Sequence, residues 1–490
     1  MMGFQSDTQQ KLFYTCLNLE KRIRKDHILR KVDNLIDFDF VYKQVEDKYG
    51  SNGNVSVPPP VILKMMLLFI FYNVRSEREL MQTIPERLDW MWFLGYDLDD
   101  DVPDHSVLSK ARSRWGIEAF KTFFDNVVMQ CVQAGLIDGS KIFTDASLVQ
   151  ADASNNSVVN QQSLKRYLNE SYREMEKRLE DPNNQSLHHP GKKGRANRKY
   201  ISTTDPDASV TRMGAGRSKL CYKIHRAVDE KAEVITATEV TAGEINEAHR
   251  LGPLIDQHQR CTGKTVQTAV ADSKYGTLDN YLVCADRKIA PHFESFDKGH
   301  EGRGRREGIF EPSEFVYQPD EDIFVCPAGE MLKPRMFNKR RNQFEYFLPA
   351  KVCNRCVLKP QCTRSKHGRT IKRHIRQAEL DQMLSQSQSR QARCDIRKRQ
   401  HLMERSFARS KPYGYQRARW RRLWRVQIQE YLTAAIQNIM VLVRNVKEQD
   451  KGAAMYSRKK KYSRPSTTTT FLKFIARITT SRSFLTVKPC

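Results

Sequence analysis

The sequence predicts an α/β protein whose mixed-sheet core follows an all-α N-terminal part and carries a Cys-rich insertion. Residues 1–137 show helical patterns throughout. From residue 141 onward, runs rich in Val, Ile and Thr alternate with helical stretches, which is typical of a sheet covered by helices. Four cysteines then gather between Cys326 and Cys362. A chain of 490 residues is also too long for one ordinary hydrophobic core.

The N-terminal part contains the most apolar run of the chain, at 61–74. This run is short and includes Lys64, so it predicts a buried helix and no membrane span. Two further helices are expected, one that follows the turn at 102–106 and one at 117–134. The short helices are compatible with a helix-turn-helix that reads DNA, or equally with a bundle that packs or dimerises.

The middle of the chain carries the strand patterns. A helical insertion at 164–179 and a soft stretch at 183–216 separate the first candidate from the rest. The five candidate strands lie at 142–150, 220–228, 234–241, 265–272 and 289–293.

A helix that ends near Lys411 follows the cysteines, because no Gly or Pro interrupts 397–411 and Pro412 comes next. Thirteen Lys and Arg residues lie between 390 and 425, against Asp395 and Glu404 alone. Glu404 is therefore either a salt-bridge acid or a metal-binding carboxylate on a face suited to phosphates. A second helix, at 426–446, has the spacing of an amphipathic packing helix.

The overall charge indicates a polyanionic partner. The chain has 83 Lys and Arg against 57 Asp and Glu, a formal net charge of +26. Such an excess favours nucleic acid. Residues 1–20 lack a long apolar stretch, so no secretory signal is expected, and the eleven cysteines indicate reduced, intracellular thiols.

Three acids can meet in this fold. Asp145 lies within the first strand candidate, Asp272 at the end of a later one, and Glu404 on the basic helix. If the strands share a sheet, these carboxylates can converge and hold two Mg²⁺ or Mn²⁺ ions, which promote phosphodiester cleavage. Each acid also has a plain structural role open to it, as a turn cap, a strand-end Asx residue or a surface ion pair.

These acids lie in blocks that resemble bacterial insertion-sequence transposases of the DDE class, closest to the IS1182-like group among the IS4/IS5-type relatives. The resemblance covers roughly residues 30–446, and the blocks occur in the family's order. They are 75–78, 92–95 and 102–106 in the helical part, 144–147 and 151–153 around the first Asp, 270–276 around the second, and 404–407, Lys411, Gly414, Arg417 and 432–438 around the Glu.

The resemblance implies an RNase H-like catalytic core with Asp145, Asp272 and Glu404 as the metal-binding triad. It implies binding to the terminal inverted repeats of an element, strand cleavage, and strand transfer into target DNA. It further implies a homodimer or larger synaptic complex in the bacterial cytoplasm, associated with the nucleoid. The surrounding basic residues would hold the DNA strands; those expected to do so are Arg397, Arg405, Arg409, Lys411 and Arg417.

The basic helix departs from the family pattern at two positions. Related families carry a Tyr and an Arg before the Glu, and these positions hold Arg397 and Gln400 here. Arg397, Arg399 or Arg405 can replace the missing Tyr and Arg in contacting a DNA phosphate, a role called here the phosphate clamp. Lys411 matches the Lys that follows the Glu in related families. Two other functions remain open, a catalytically silent DNA-binding repressor derived from a transposase and a nuclease without strand transfer.

The cysteine cluster predicts a structural metal site. Cys326, Cys353, Cys356 and Cys362 supply four thiols with a tight central pair, which suits tetrahedral Zn²⁺. An Fe–S cluster or plain buried thiols remain alternatives, and His367 or Cys394 can stand in as ligands.

These patterns divide the chain into five parts. They are a helical domain for DNA binding or assembly at 1–137, the first part of the catalytic core at 138–296 with a soft insertion near 152–216, the Cys-rich insertion at 297–395, the C-terminal core helices with the Glu at 396–447, and a basic, disordered tail at 448–490.

Overall fold

The computed structural model describes residues 18–50, 55–160, 197, 199–212, 217–294 and 308–445. The predicted helix at 164–179, nearly all of the predicted loop at 297–308 and the basic tail at 448–490 lie outside these residues. Within the described ranges, no helix is long and apolar enough to cross a membrane.

Helices fill the described residues before 137. Pro59 and Pro60 occupy the first turn of the most apolar helix, where a missing N–H costs nothing. The longest helix bends at Gly116, whose φ of +69° interrupts it between the two predicted segments. The helices are α1 (Leu19–Arg22), α2 (Ile28–Leu35), α3 (Phe40–Val45), α4 (Pro59–Phe71), α5 (Glu77–Thr83), α6 (Leu88–Leu94) and α7 (Ser106–Gln133).

The main sheet has six strands, and each strand predicted from the sequence belongs to it. The members are β1 (Lys141–Gln150), β4 (Ser209–Arg212), β5 (Ser218–Asp229), β6 (Ile235–Ala242), β7 (Thr268–Val270) and β8 (Ala290–His292). Strand β1 is central, antiparallel to β5 on one side and parallel to β7 on the other. β7 pairs in parallel with β8, while β4 and β6 both pair with the far edge of β5.

Two smaller sheets lie in the insertions. β2 (Val158–Asn160) and β3 (Tyr200–Ser202) form a two-stranded ribbon. The second consists of β9 (Val316–Gln318), β10 (Ile323–Val325), β11 (Met331–Asn338), β12 (Gln343–Phe347) and β13 (Thr370–His374), all antiparallel. Two short helices, α10 (Ala350–Arg355) and α11 (Lys359–Cys362), connect β12 to β13. This sheet has its own small apolar core, which includes Phe315, Leu332 and Tyr346.

Five helices cover the main sheet. They are α8 (Leu251–Thr262), α9 (Leu278–Asp286), α12 (Gln377–Ser387), α13 (Arg390–Ala408) and α14 (Leu423–Asn445). Helix α12 packs against α9 and β8, so this part of the predicted 297–395 insertion belongs with the main sheet. Helix α14 packs against both β6 and α7, and one continuous apolar core therefore joins the N-terminal helices to the sheet.

Helix α14 is buried almost all round, although its sequence suggested a single apolar face. Its polar side chains account for this, because they bond the outer edge of β6. Asn438 accepts from the backbone N–H of Ile235 at 2.9 Å and donates to its carbonyl at 2.7 Å, and Gln427 accepts from the N–H of Val240. The helix thus satisfies backbone groups that an edge strand would otherwise expose.

Candidate active site

Asp145 lies within β1, and Asp272 lies just beyond the end of the neighbouring parallel strand β7. Phe143 of β1 is opposite Val270, the last residue of β7, and each acid comes two residues later in the chain. The Thr144 hydroxyl donates to the Val270 carbonyl at 3.2 Å, which ties the middle of β1 to the end of β7. In parallel sheets, functional side chains gather where such strands end.

Both carboxylates are held by nearby backbone. Asp145 accepts from the N–H of Ala146 at 2.7 Å. Asp272 caps the short 3-10 turn Ser273–Tyr275 and accepts from the N–H of Lys274 at 3.0 Å. Burial raises the pKa of Asp145, the guanidinium of Arg399 opposes that shift, and the charge of Asp272 adds to it. The pKa of Asp272 is likewise raised by burial and then by the charge of Glu247.

Helix α13 brings the basic face to these acids. Its buried Asp395 ties it to the sheet, with Lys141 Nζ of β1 at 3.0 Å and His292 Nδ1 of β8 at 2.7 Å. One turn further along, Arg399 reaches Asp145, with Nη1 2.6 Å from Oδ2. Of the three arginines that the sequence offered as substitutes for the missing clamp residue, Arg399 is the one placed at the acids.

Glu404 lies on the same helix, five residues after Arg399. Its side chain is exposed and accepts a hydrogen bond from Gln400 at 3.3 Å. The buried face of α13 is instead formed by its neighbours Leu402, Met403 and Ser406. The structure thus joins Asp145 to Asp272 and leaves Glu404 at the edge of the site.

The donor chemistry of this site fits a divalent cation, since carboxylate oxygens are the ligands that Mg²⁺ and Mn²⁺ prefer. In the described part of the chain, no three His, Cys, Asp or Glu side chains are arranged so that they could hold one ion. Asp145 and Asp272 lie near each other, and side chains would have to move before three carboxylates could share an ion.

A further acid, Glu247, lies beside this pair and was missed by the sequence reasoning. It begins the 3-10 turn Glu247–Arg250 between β6 and α8, and its side chain is only 6% exposed. Lys274 Nζ lies 2.8 Å from its Oε1. The available signal was an acid in the connection between a strand and a helix, which is also where Asp272 lies.

The predicted DNA-binding residues divide into exposed and paired groups. Arg397 and Lys411 are exposed. Arg405 and Arg409 both contact Glu233, at 2.6 and 2.7 Å. Arg417 contacts Asp152 at 2.9 Å, and Arg421 contacts the same acid at 3.2 Å.

A concave surface between α4, α5, α7 and the segment before α14 is lined mainly by basic and aromatic side chains. The segment before α14 is attached to the main sheet, since Gln150 of β1 forms an isolated bridge with Arg417. The lining includes Arg75, Arg78, His105, Arg112, Arg417, Arg419, Phe69 and Trp420. We call this surface the arginine groove.

The four clustered cysteines line one largely apolar cavity at the edge of the second sheet. Cys326, Cys353, Cys356 and Cys362 all contribute to its wall. Gly368 lies against Cys353 with φ +88°, and a Cβ there would lie 2.9 Å from the Cys353 sulfur. The alternative ligands differ in position, because neither His367 nor the exposed Cys394 of α13 contributes to this wall.

Comparison with known families identifies a transposase domain near each end of the chain. Residues 17–114 match the transposase domain DUF772, and residues 325–443 match a transposase DDE domain. The second match contains Glu404, while Asp145 and Asp272 lie between the two. No curated protein and no solved structure matches the chain significantly. Two transposase-domain matches in one basic polypeptide support an insertion-sequence transposase of the DDE class.

Proposed function

We propose that this transposase binds the terminal inverted repeats of its element and catalyses metal-dependent cleavage and transfer of DNA strands. The observation that carries the proposal is the placement of Asp145 within β1 and of Asp272 just after the adjacent parallel strand β7, with the basic helix α13 packed over them. A pair of partly buried carboxylates beneath a strongly basic helix suits chemistry on a phosphodiester backbone.

We infer that the core has an RNase H-like fold. The strand order supports this inference: β6, β5, β1, β7, β8, with the first three antiparallel and the last three parallel. The first acid is on the central strand, and the helix that carries Glu404 packs across β1, β7 and β8.

Asp145, Asp272 and Glu404 are the residues that would hold two Mg²⁺ or Mn²⁺ ions. Bound there, such ions supply activation of the attacking water or 3′-hydroxyl and stabilisation of the leaving oxygen. For Glu404 to take part, its carboxylate must leave Gln400 and turn toward the sheet. Arg399 then remains beside Asp145, where it can contact a phosphate oxygen of the bound strand.

The DNA strands would follow the exposed basic face of α13 and the arginine groove. Arg397 and Lys411 are free to contact phosphates directly, since both are exposed. Arg405, Arg409 and Arg417 would exchange their carboxylate partners for phosphates. Two paired element ends would require a homodimer or a larger complex, in which the soft insertion and the tail could also contact DNA.

The direct test is strand cleavage and joining of a labelled fragment that carries the element end flanking this coding sequence. Wild type, Asp272→Asn and Glu404→Gln would be compared in Mg²⁺. Glu379→Gln is the matched control, since Glu379 is an acid on α12 that pairs with Arg376 away from the site. We expect metal-dependent products that both site variants lose and the control retains, with DNA binding unchanged.

Each other outcome of this assay assigns a different function. Cleavage by Glu404→Gln at the wild-type rate would remove Glu404 from the site. Cleavage without joined products would indicate a nuclease. DNA binding without cleavage by any of the proteins would indicate a silent, repressor-like protein.

We also propose that the cysteine cavity holds a structural Zn²⁺. The support is that Cys326, Cys353, Cys356 and Cys362 line one cavity in a small sheet with few apolar residues of its own; their thiols would move closer together around the bound ion. Metal analysis should give roughly one zinc per chain, lost in Cys356→Ser and retained in the control Cys394→Ser. Zinc-free wild-type protein that unfolds at its normal temperature would refute this site.

A further inference from the structure

The environment of Glu247 suggests a role in the active site beyond the predicted triad. Glu247 lies in a turn that packs against the turn Ser273–Tyr275, which Asp272 caps. Its carboxylate is nearly inaccessible, with 6% of the side chain exposed. A buried carboxylate is costly unless it is paired, and an acid at such a position therefore requires an explanation.

Electrostatic coupling places Glu247 with the two aspartates. Burial raises the pKa of Asp272 most, and the charge of Glu247 is the next largest cause. The same charge also contributes to the raised pKa of Asp145. Glu404 has no comparable influence on either acid. The three acids come from β1, the residue pair after β7 and the 3-10 turn before α8.

Lys274 is the cation that balances this cluster. Its hydrogen bond to Glu247 is the leading cause of its raised pKa, and the charges of Asp272 and Asp145 add to the shift. Lys274 is nevertheless 62% exposed. It can therefore swing away into solvent without opening the core, unlike a buried partner.

Tyr275 supplies an independent indication that a ligand belongs here. Its side chain is fully buried, and its hydroxyl has no hydrogen-bond partner in the part of the chain that the structure describes. The charges nearest to that hydroxyl are those of Glu247, Asp145 and Asp272. A buried donor without an acceptor is unfavourable, so a ligand or its bound water that accepts from Tyr275 would account for it.

We propose that Glu247 is an additional metal-binding acid of the active site, and that Lys274 neutralises it until a divalent cation binds. This inference rests on the proposed metal-dependent function. Once Lys274 moves away and the carboxylates turn toward one another, Glu247 would complete a first cation site with Asp145 and Asp272. Glu404 would join when DNA and a second cation are present.

The test is Mn²⁺ binding to the full chain without DNA, measured by electron paramagnetic resonance. We expect Glu247→Gln to weaken Mn²⁺ binding by about 10- to 100-fold. The matched control is Glu239→Gln, because Glu239 of β6 is a similarly buried acid in an ion pair, with Arg250, outside the cluster. The control should bind Mn²⁺ as wild type does.

The variant Lys274→Met tests whether Glu247 binds metal or only forms a structural ion pair. It can be used even if the Glu247→Gln variant does not fold. Because Lys274→Met removes one positive charge that repels the cation, Mn²⁺ binding should tighten by roughly several-fold. A merely structural pair predicts unchanged or weaker binding, and that result would overturn the proposal.

Asp272→Asn distinguishes the failure of this inference from the failure of the proposed function. If Asp272→Asn loses Mn²⁺ while Glu247→Gln binds it normally, Glu247 is not a ligand and the metal centre stands. If neither variant affects Mn²⁺ binding, the metal centre itself is wrong.

Discussion

The ion pair between Arg226 and Glu430 is a stringent test of how the core holds the active site. Both side chains are 0% exposed. Arg226 Nε and Nη2 donate to the two Glu430 oxygens at 2.7 and 2.9 Å, and the Thr238 hydroxyl donates to Oε1 at 2.6 Å. Glu430→Gln would therefore leave a buried guanidinium without its counter-charge.

The expected magnitude follows from that burial. Removal of one partner from a buried ion pair costs about 3–5 kcal/mol, which lowers the folding equilibrium constant by roughly 10²- to 10⁴-fold. Arg226 lies opposite Asp145 in the strand register and donates to the Ser406 carbonyl of α13 at 3.0 Å. The same change should therefore loosen the packing of α13 over the site. The cleavage rate should then fall by a larger factor than the fraction of folded protein does.

Urea unfolding of Glu430→Gln, with Glu379→Gln as the exposed control, measures the effect as a lower midpoint at similar slope. A double variant, Arg226→Met with Glu430→Met, removes both charges and should recover part of the loss, because apolar replacement of a buried pair is often neutral. Wild-type stability in the single variant, or a double variant as unstable as the single one, would refute the electrostatic explanation.

Two further changes test other parts of the structure. Burial raises the pKa of Asp205 to about 6, so the folded chain binds more protons than the unfolded one above about pH 4. The stability that this proton contributes is present at lower pH and is lost as the pH rises through 6. Urea unfolding across this range should show the wild-type protein losing this stability. The Asp205→Asn variant should not show this pH-dependent loss. Gly414→Ala should lower the melting temperature, because Gly414 has φ +72° and a Cβ would overlap the Asn73 side chain. The expected cost in the free energy of unfolding is about 1–3 kcal/mol. An unchanged melting temperature would contradict the close approach of this loop to the end of α4.

The secondary structure of the core was largely predictable, whereas the packing partners were not. Runs such as 234–241 are rich in β-branched residues and had few alternatives to a strand. Helix α14 shows the limit: its apolar spacing predicted a helix, but its buried Gln and Asn residues have meaning only once β6 presents an open edge beside them. Helix α12 likewise carries no local signal of which sheet it joins.

The site was predictable as far as short motifs extend. The blocks around Asp145 and Asp272 indicated two acids at strand positions, and the register of β1 and β7 brings them together. The roles of Arg399 and Glu247 depend on contacts between residues that are far apart in the sequence, which no local pattern encodes. Whether Glu404 completes the triad stays a prediction.

The basic face of α13 offers a last prediction, because part of its charge is already neutralised. Arg405 and Arg409 both contact Glu233 in the turn between β5 and β6. A DNA phosphate must displace this carboxylate, so each arginine contributes less to binding than a free one would. Glu233→Gln should therefore tighten DNA binding.

The measurement is fluorescence anisotropy of a labelled duplex over a range of salt concentrations. Since the slope of log K against log salt reflects the number of phosphates neutralised, the slope of Glu233→Gln should become steeper by about 1. Glu379→Gln removes an equal charge from an ion pair with Arg376 and controls for the change in net charge. If both variants shift binding equally, only the overall charge matters; if Glu233→Gln alone steepens the slope, the arginines that Glu233 holds are the ones that contact DNA, and the chain limits its own affinity until an element end displaces the acid.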